Sequence, residues 1–505
     1  MNDQYDVVII GCGTSGAAIA FTLAQYDLKV AVIEKENDVA TGTTRANSGI
    51  LHAGYDPKPG TLMAKLNVRG VEIAKELSKK LRFGYDPVGS LVLAFSGRDM
   101  KTIEELKRRG EANGVKGIRI LTREEVQKIE PLVSDKIIAA LYAPSAVCSP
   151  WEFCLTMAET AVLNGTKLLL DTEVVEISRL DGADAAAADG CNWKVVGRQN
   201  TNTLTEARHA KPEDLKTIEL HTRFVINAAG IFAKDVHDMA APHSFDIHMD
   251  RGEYYLMDKA EGFRARHTIF QCPDENGKGV LVSPTVHGNL IVGPNSERIK
   301  EDDYSTTKDG LSYVRTSAAK SVPSIDFRNN IRNFAGIRAR STSSDFIIGE
   351  AEGAPGFIDV AGICSPGLSS APAIGEYVAE ILKEKGLSLT KKPGELKYYQ
   401  EPPHFKDLSP EEKNALIAKD PSYGRVVCRC ESITEGEMRD AFRSPIPPRS
   451  VDAIKRRTMA GQGRCQGGFC GPQVVKILAE NLGLPEDKIP QNLEGSWMLI
   501  DKEER

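Results

Sequence analysis

Residues Tyr5 to Glu34 read YDVVIIGCGTSGAAIAFTLAQYDLKVAVIE. An apolar run, Tyr5 to Ile10, ends in Gly11-Cys12-Gly13-Thr14-Ser15-Gly16; a helical stretch, Ala17 to Tyr26, follows, and a second apolar run, Val30 to Ile33, ends at Glu34. This is strand, glycine turn, helix, strand, with an acid at the tip of the second strand, and it matches the βαβ dinucleotide fingerprint. Gly11 is expected to permit the tight turn, Gly13 to admit a pyrophosphate to the backbone, and Gly16 to let helix and strand pack closely. Thr14 and Ser15 open the helix whose N-terminus stabilises phosphate charge. Glu34 is placed to accept hydrogen bonds from an adenosine ribose.

The fingerprint alone does not separate FAD from NAD. What lies further along does. Gly42 to Asp56 (GTTRANSGILHAGYD) is polar and glycine-bearing where a nicotinamide fold would continue βα alternation. Phe224 to Ala233 (FVINAAGIFA) and Gly356 to Leu382 (GFIDVAGICSPGLSSAPAIGEYVAEIL) are strands running into small-residue turns. Three dispersed pieces of this kind suit a large flavin nucleotide held by a discontinuous domain. The fold class read from this pattern is α/β plus α+β. A Rossmann-like FAD-binding domain (1–78, 150–240, 355–385) is interrupted by an antiparallel-sheet substrate domain (79–149, 241–354). The β-rich stretches of the latter are Val88 to Phe95, Glu253 to Leu256, Gly279 to Val282, Asn289 to Val292 and Phe346 to Ile348. Asp181 to Gly190 reads as a surface insertion between two strands. Residues 386–424 read as a linker with a short helix at Pro410 to Ala418, and 425–505 as a separate small domain.

Composition sets the outer bounds. The chain has 505 residues, a soft prior for about three domains at roughly 150 residues each. Apolar residues at 41% and charged residues at 27% are ordinary for a globular protein, which excludes fibrous and disordered classes. Lys and Arg number 64 against 70 Asp and Glu, a net charge of −6 that predicts no bulk affinity for nucleic acid or anionic membrane. No run of about 18 apolar residues is present, so no direct membrane insertion is expected. The first residues carry no basic region, so no secretory signal is read there and a cytoplasmic location is expected, with a peripheral position at the membrane through partner subunits left open.

The chain has ten cysteines, and four of them crowd near the end: Cys428-x-Cys430, then Cys465-x4-Cys470. Clustered cysteines without a signal peptide point to metal or redox chemistry. Structural zinc sites favour C-x2–4-C pairs, and a C-x-C pair is unusual there. Four thiolates bracketed by Gly461, Gly463, Gly467, Gly468 and Gly471 fit a 2Fe–2S cluster whose sulfurs need close backbone amides. Zinc remains the competing reading. Arg429, Lys455, Arg456, Arg457 and Arg464 are candidates to balance the cluster's charge or to receive an acidic partner. A flavin takes two electrons as a hydride and a 2Fe–2S centre passes them singly. Together they predict a dehydrogenase feeding a remote acceptor.

Residues 1–385 resemble the glycine oxidase/D-amino-acid oxidase superfamily. Within it, Gly42 to Gly70 (GTTRANSGILHAGYDPKPGTLMAKLNVRG) is similar to flavin-dependent glycerol-3-phosphate dehydrogenases and oxidases and to L-2-hydroxyglutarate dehydrogenases. VVCRCESITEGEM with VDAIKRRTMAGQGRCQGGFCGPQVV resembles bacterioferritin-associated-ferredoxin-like domains, above all the one fused to the large subunit of anaerobic glycerol-3-phosphate dehydrogenase. The resemblance implies oxidation of sn-glycerol 3-phosphate to dihydroxyacetone phosphate. It makes His52 the base, with Ser48 beside it, and His287 a weaker rival. It implies Arg338 as the substrate anchor, Lys278 as a second phosphate contact, and Arg340, Ser365 and Ser370 as further donors. Flavin contacts extend to Lys35, Thr43, Thr44, Asn47, Ser48, Val174, Ala229, Gly230, Gly362, Gly367 and Leu368. An arginine fork suits phosphate and carboxylate equally, so a 2-hydroxy acid such as L-2-hydroxyglutarate remains an alternative substrate. A silent electron-transfer subunit is the second alternative. Implied partners are a second flavoprotein and a small iron–sulfur subunit.

Overall fold

The computed structural model describes residues 3–180, 190–200, 215–273, 279–402, 404–493 and 495–499. Along the chain, the elements that position the site are β1 (Asp3–Ile10), α1 (Thr14–Leu23) and β2 (Val30–Ile33), then α2 (Pro150–Leu163) and β3 (Lys216–Asn227). They continue with β4 (Ile247–Met257), β5 (Asn330–Ser341), β6 (Phe357–Ala361), α3 (Gly367–Glu384), α4 (Val451–Thr458) and α5 (Gly471–Leu482).

Among the described residues the first sheet has eight strands. β1 lies at its centre, parallel to β2 and β3, and β3 is parallel to β6. Val7 to Ile10 are buried on both faces, which is why this end of β1 is uniformly apolar rather than alternating. α1 is rich in alanine because it is squeezed: a Cβ on Gly375 of α3 would lie 2.6 Å from the Ala18 carbonyl. α2 packs on the other flank of α1, and these layers form the largest core.

The second sheet has nine strands, with β4 and β5 paired antiparallel in a register that sets Asp250 opposite Arg338, Gly252 opposite Gly336 and Tyr254 opposite Phe334. Ser90–Ala94, Ala139–Ala143 and Arg119–Thr122 belong to this sheet although they precede α2 in the chain. A three-stranded sheet of Ile50–Leu51, Ala146–Cys148 and Tyr85–Asp86 stands apart from both. The stretch Phe346 to Ile348, expected in the second sheet, is placed differently: Ile347–Glu350 forms a hairpin with β6 on the first sheet. The connection of only a few residues makes that local pairing the available one.

Residues around 386–402 run over the first layer, tied by Lys392 N–H to the Gln25 carbonyl and by the Asn164 amide to the Lys397 carbonyl. The short helix is Pro410–Lys419. The C-terminal domain has its own core of Cys428, Ile433, Met438, Ile454, Cys470, Val474 and Leu478. The expected insertion at Asp181 to Gly190 lies outside the described residues except for Gly190.

Candidate active site and cysteine centre

A cleft of about 570 Å³ runs between the two sheets, from the end of β1 to the β4–β5 pair. At one end the glycine turn behaves as its spacing requires. Gly11 has φ +95°, and a Cβ there would lie 2.6 Å from the Ala228 carbonyl; a Cβ on Gly16 would lie 2.0 Å from the Gly11 carbonyl. Gly16 therefore serves packing and does not line the cleft, whereas Gly11, Gly13, Thr14 and Ser15 do. Glu34 is buried; its carboxylate accepts from the N–H groups of Cys12 (2.7 Å) and Glu36 (3.1 Å). Burial pushes its pKa up to about 7 against those two bonds. Remaining lone pairs on this carboxylate are available to ribose hydroxyls. A helix N-terminus, a backbone without side chains and a buried acid at the far edge fit the pyrophosphate and adenosine of FAD.

Lys35, Thr43, Thr44, Asn47, Ser48, Val174, Ala229, Gly230, Gly367 and Leu368 line the same cleft. Thr44 Oγ1 accepts from Thr14 N–H at 3.0 Å, and the Thr43 hydroxyl donates to the Ile337 carbonyl at 2.6 Å. These bonds tie the 42–48 loop to α1 on one side and to β5 on the other. Gly362 is not part of the wall; it turns the chain beneath Ser341, and its neighbours Ile363 and Cys364 face the cleft instead.

The opposite end gathers His52, Ser48, Arg338, Tyr254 and Phe270. The backbone at His52 is pinned from both sides, its N–H donating to Ser369 Oγ (2.7 Å) and its carbonyl accepting from the Asn67 amide (2.6 Å). The Phe270 ring lies 5.7 Å from the imidazole. Arg338 donates only weakly, to Ser296 Oγ and the Asn295 carbonyl at 3.3 Å each, and has no carboxylate partner among the described residues. A Cβ on Gly252 would lie 2.7 Å from Arg338 Nη2, so glycine makes room for the guanidinium. Arg340 differs: it pairs with Asp250 at 3.3 Å and its side chain is 54% exposed. A guanidinium already neutralised is a poor anion anchor, and one left uncompensated is a ready one.

Tyr254 was not legible as a site residue. It is buried, stacked on Phe334 at 4.8 Å, and its hydroxyl lies beside Ser48 and Arg338. Burial raises its pKa, opposed by the Arg338 charge. Its only sequence signal is its place two residues after Gly252, on the same strand face.

Three further expectations change. Ser365 lines the cleft, but Ser370 does not: it is fully buried in α3, its hydroxyl donating to the Pro366 carbonyl, because the second serine of the loop has already entered the helix. His287 is outside the cleft, stacked on Trp151 at 5.9 Å and pushed down to about 3 by burial, which leaves it a poor base for the cleft. Lys278 lies outside the described residues.

In the C-terminal domain the four free cysteines lie within mutual electrostatic reach, Cys428 facing Cys470 and Cys430 facing Cys465. The proximity of the two thiols draws Cys428 down and pushes Cys470 up. Backbone N–H groups of Gly461 and Glu431 reach Cys428, and those of Phe469 and Gly467 reach Cys465. Two thiol pairs with amide donors suit a two-iron cluster, which takes two thiolates per iron. Lys455, Arg456 and Arg457, expected to serve the cluster or a partner, are buried. Lys455 pairs with Asp452, and both arginines grip Asp38 of the FAD-binding layer. Asn37 donates to the Asn492 carbonyl, and Leu493 lines the flavin end of the cleft.

Fold and site define the class: an FAD-dependent oxidoreductase acting on a CH–OH group, with an iron–sulfur domain attached. Residues 6–381 match the family described as FAD dependent oxidoreductase, and residues 426–480 match the BFD-like [2Fe-2S] binding domain. The chain is 45% identical to a glycerol 3-phosphate dehydrogenase of Caloramator mitchellensis, over 98% of each chain. It is 33% identical to a glycerol 3-phosphate oxidase of Mycoplasma pneumoniae, covering 77% of this chain and 96% of that one. The solved structure of L-alpha-glycerophosphate oxidase from Mycoplasma pneumoniae with FAD bound superposes with a TM-score of 0.69 at 32% identity, covering 79% of this chain and 99% of that one. The chain belongs to the FAD dependent oxidoreductase family, and its nearest likeness among these relatives is to the glycerol 3-phosphate enzymes. Among the described residues no helix is long and apolar enough to cross a membrane.

Proposed function

We propose that this chain oxidises sn-glycerol 3-phosphate to dihydroxyacetone phosphate and exports the electrons one at a time. The observation that carries the reading is Arg338: an uncompensated guanidinium on the wall of the flavin cleft, in the same end as the His52 imidazole. Arg338 holds the phosphate, with Ser365 and, by resemblance, Lys278 adding donors. His52 takes the proton from the C2 hydroxyl, its position fixed by the Ser369 and Asn67 bonds to its backbone. Tyr254, kept protonated by burial, steadies Ser48 and Arg338. Phe270 limits water at the imidazole. FAD, when bound, supplies the hydride acceptor, and the cluster on Cys428, Cys430, Cys465 and Cys470 supplies single-electron exit. Partner chains, a second flavoprotein and a small iron–sulfur subunit, receive the electrons in the cytoplasm.

The test is anaerobic flavin reduction by the purified holoprotein. Bleaching of the flavin absorbance by glycerol 3-phosphate, and its loss in His52→Ala with FAD retained, is expected. Bleaching by L-2-hydroxyglutarate alone overturns the substrate assignment, and bleaching by neither identifies an electron-transfer subunit.

A further inference from the structure

The two cysteine pairs differ in their surroundings. Cys428 and Cys470 are buried, whereas Cys430 is exposed and Cys465 half-buried. If the four hold a cluster, its Cys430–Cys465 edge is the one that faces solvent.

Charge around that edge is unbalanced in a specific way. Every acid between 426 and 480 is already engaged. Glu431 pairs with Lys259, and Glu435 with Arg425 and Arg439. Glu437 caps its helix at Thr434 and accepts from Phe405 N–H, Asp440 pairs with Arg443, Asp452 with Lys455, and Glu480 with Arg439. The cations left over beside the exposed edge are Arg429, between the first two cysteines, and Arg464, next to Cys465. Both are exposed, and neither has a carboxylate partner among the described residues. Arg332 of β5 joins them, exposed and donating to the Gln466 side chain at 3.4 Å. Between Cys465 and Cys470 stands Phe469, 78% exposed, beside Gly467 and Gly468. An exposed aromatic in the same cysteine loop as arginines without carboxylate bonds, next to a solvent-facing edge, has the make-up of an interface rather than a solvated face.

We propose that this face docks an acidic one-electron carrier protein, with Arg429, Arg464 and Arg332 meeting carboxylates and Phe469 filling an apolar depression. The proposal rests on the iron–sulfur reading given above. Per encounter one electron leaves through the Cys430–Cys465 edge and the carrier is reduced by one electron. Two encounters clear the pair delivered by one substrate, and two protons return to solvent: the one taken from the hydroxyl and the one the hydride leaves on the flavin once both electrons have gone. Complementary charge of this kind acts mainly on association rate, and salt weakens it.

The holoprotein, reduced with glycerol 3-phosphate, is mixed in stopped flow with cytochrome b5, an acidic haem protein, and separately with basic cytochrome c. Binding of the oxidised carriers is measured in parallel by fluorescence anisotropy. The expected result is faster reduction and tighter binding of cytochrome b5, both falling as salt rises. Arg429→Glu with Arg464→Glu should cut the cytochrome b5 rate constant about tenfold or more and raise that for cytochrome c. An effect through cluster potential alone would move both carriers in the same direction and would overturn docking. So would equal rates for the two carriers at low salt, or an unchanged double variant. Phe469→Ala should weaken cytochrome b5 binding without changing the salt slope; an unaltered affinity removes Phe469 from the interface. Flavin bleaching and the paramagnetic signal of the reduced cluster are followed in the same samples. Their absence would report failure of the underlying reading instead.

Discussion

Replacing Asp38 by Ala should loosen the iron–sulfur domain from the flavin domain. The Asp38 carboxylate is buried and receives, besides one bond from Val39 N–H (2.9 Å), four from the arginines: Arg456 Nη2 (2.7 Å) and Nε (3.2 Å), and Arg457 Nη1 (2.8 Å) and Nη2 (2.9 Å). All three side chains are at most 6% exposed. Removing the acid strands two guanidiniums in the interface, and breaking such a buried pair costs about 3–5 kcal/mol, far above the ~0–1 kcal/mol of a surface pair. At about 1.4 kcal/mol per tenfold, the docking equilibrium shifts by at least a hundredfold. The two arginine charges also hold Asp38 well below the usual carboxylate range. Its contribution is therefore present above about pH 4 and is lost as pH falls through the depressed value. The assay is denaturant titration with two probes, visible absorbance of the cluster and fluorescence of released FAD, since a multidomain chain has no single unfolding free energy. Asp38→Ala should separate the two transitions. Adding Arg456→Met and Arg457→Met should bring them back together, because an apolar replacement of all charges is close to neutral. A destabilisation below about 1 kcal/mol, or no recovery in the triple variant, would refute the reasoning.

Arg338→Lys keeps the charge but loses the planar fork, so KM for glycerol 3-phosphate should rise about ten- to a hundredfold with the flavin spectrum unchanged; an unchanged KM moves the anion anchor elsewhere. Cys465→Ser should abolish the paramagnetic signal of the dithionite-reduced protein while substrate still bleaches the flavin. Metal analysis giving one zinc and no iron per chain defeats the relay. Glu159, bonded to Ser444 across the interface, is pushed up to about 8 by burial, and Glu401 beside it to about 7. An acid with a raised folded value stabilises fully below its unfolded value, near 4.3, and loses that contribution as pH climbs toward the folded one. Thermal stability should therefore decline between about pH 5 and 8, and Glu159→Gln should flatten the slope; a parallel slope in the variant removes Glu159 from the cause.

Legibility followed sequence distance. Gly11, Gly13 and Glu34 could be read because strand, turn, helix and strand are contiguous and their spacing carries the geometry. The four cysteines could be read because two short spacings and their glycines carry the chemistry. Tyr254 could not: its role comes from the β4–β5 register, which brings together Tyr254 and Phe334, distant in sequence. Nor could the partner of Arg456 and Arg457, since Asp38 lies 418 and 419 residues away. Ser370 misled because the loop's serines look alike until the start of α3 assigns one to the cleft and one to the core.

The Asp38 contact bears on how the two halves cooperate. Asp38 follows Glu34 by four residues, on the segment that carries the cleft-lining Glu36 and Thr41, and Leu493 closes against the same end. The iron–sulfur domain is thus part of the wall around the flavin site rather than an appendage on a tether. In this chain, energy that holds the domain on the flavin layer also shapes the adenosine end of the cleft. Linkage makes the effect reciprocal: bound FAD should tighten docking of the iron–sulfur domain by the same factor that docking tightens FAD.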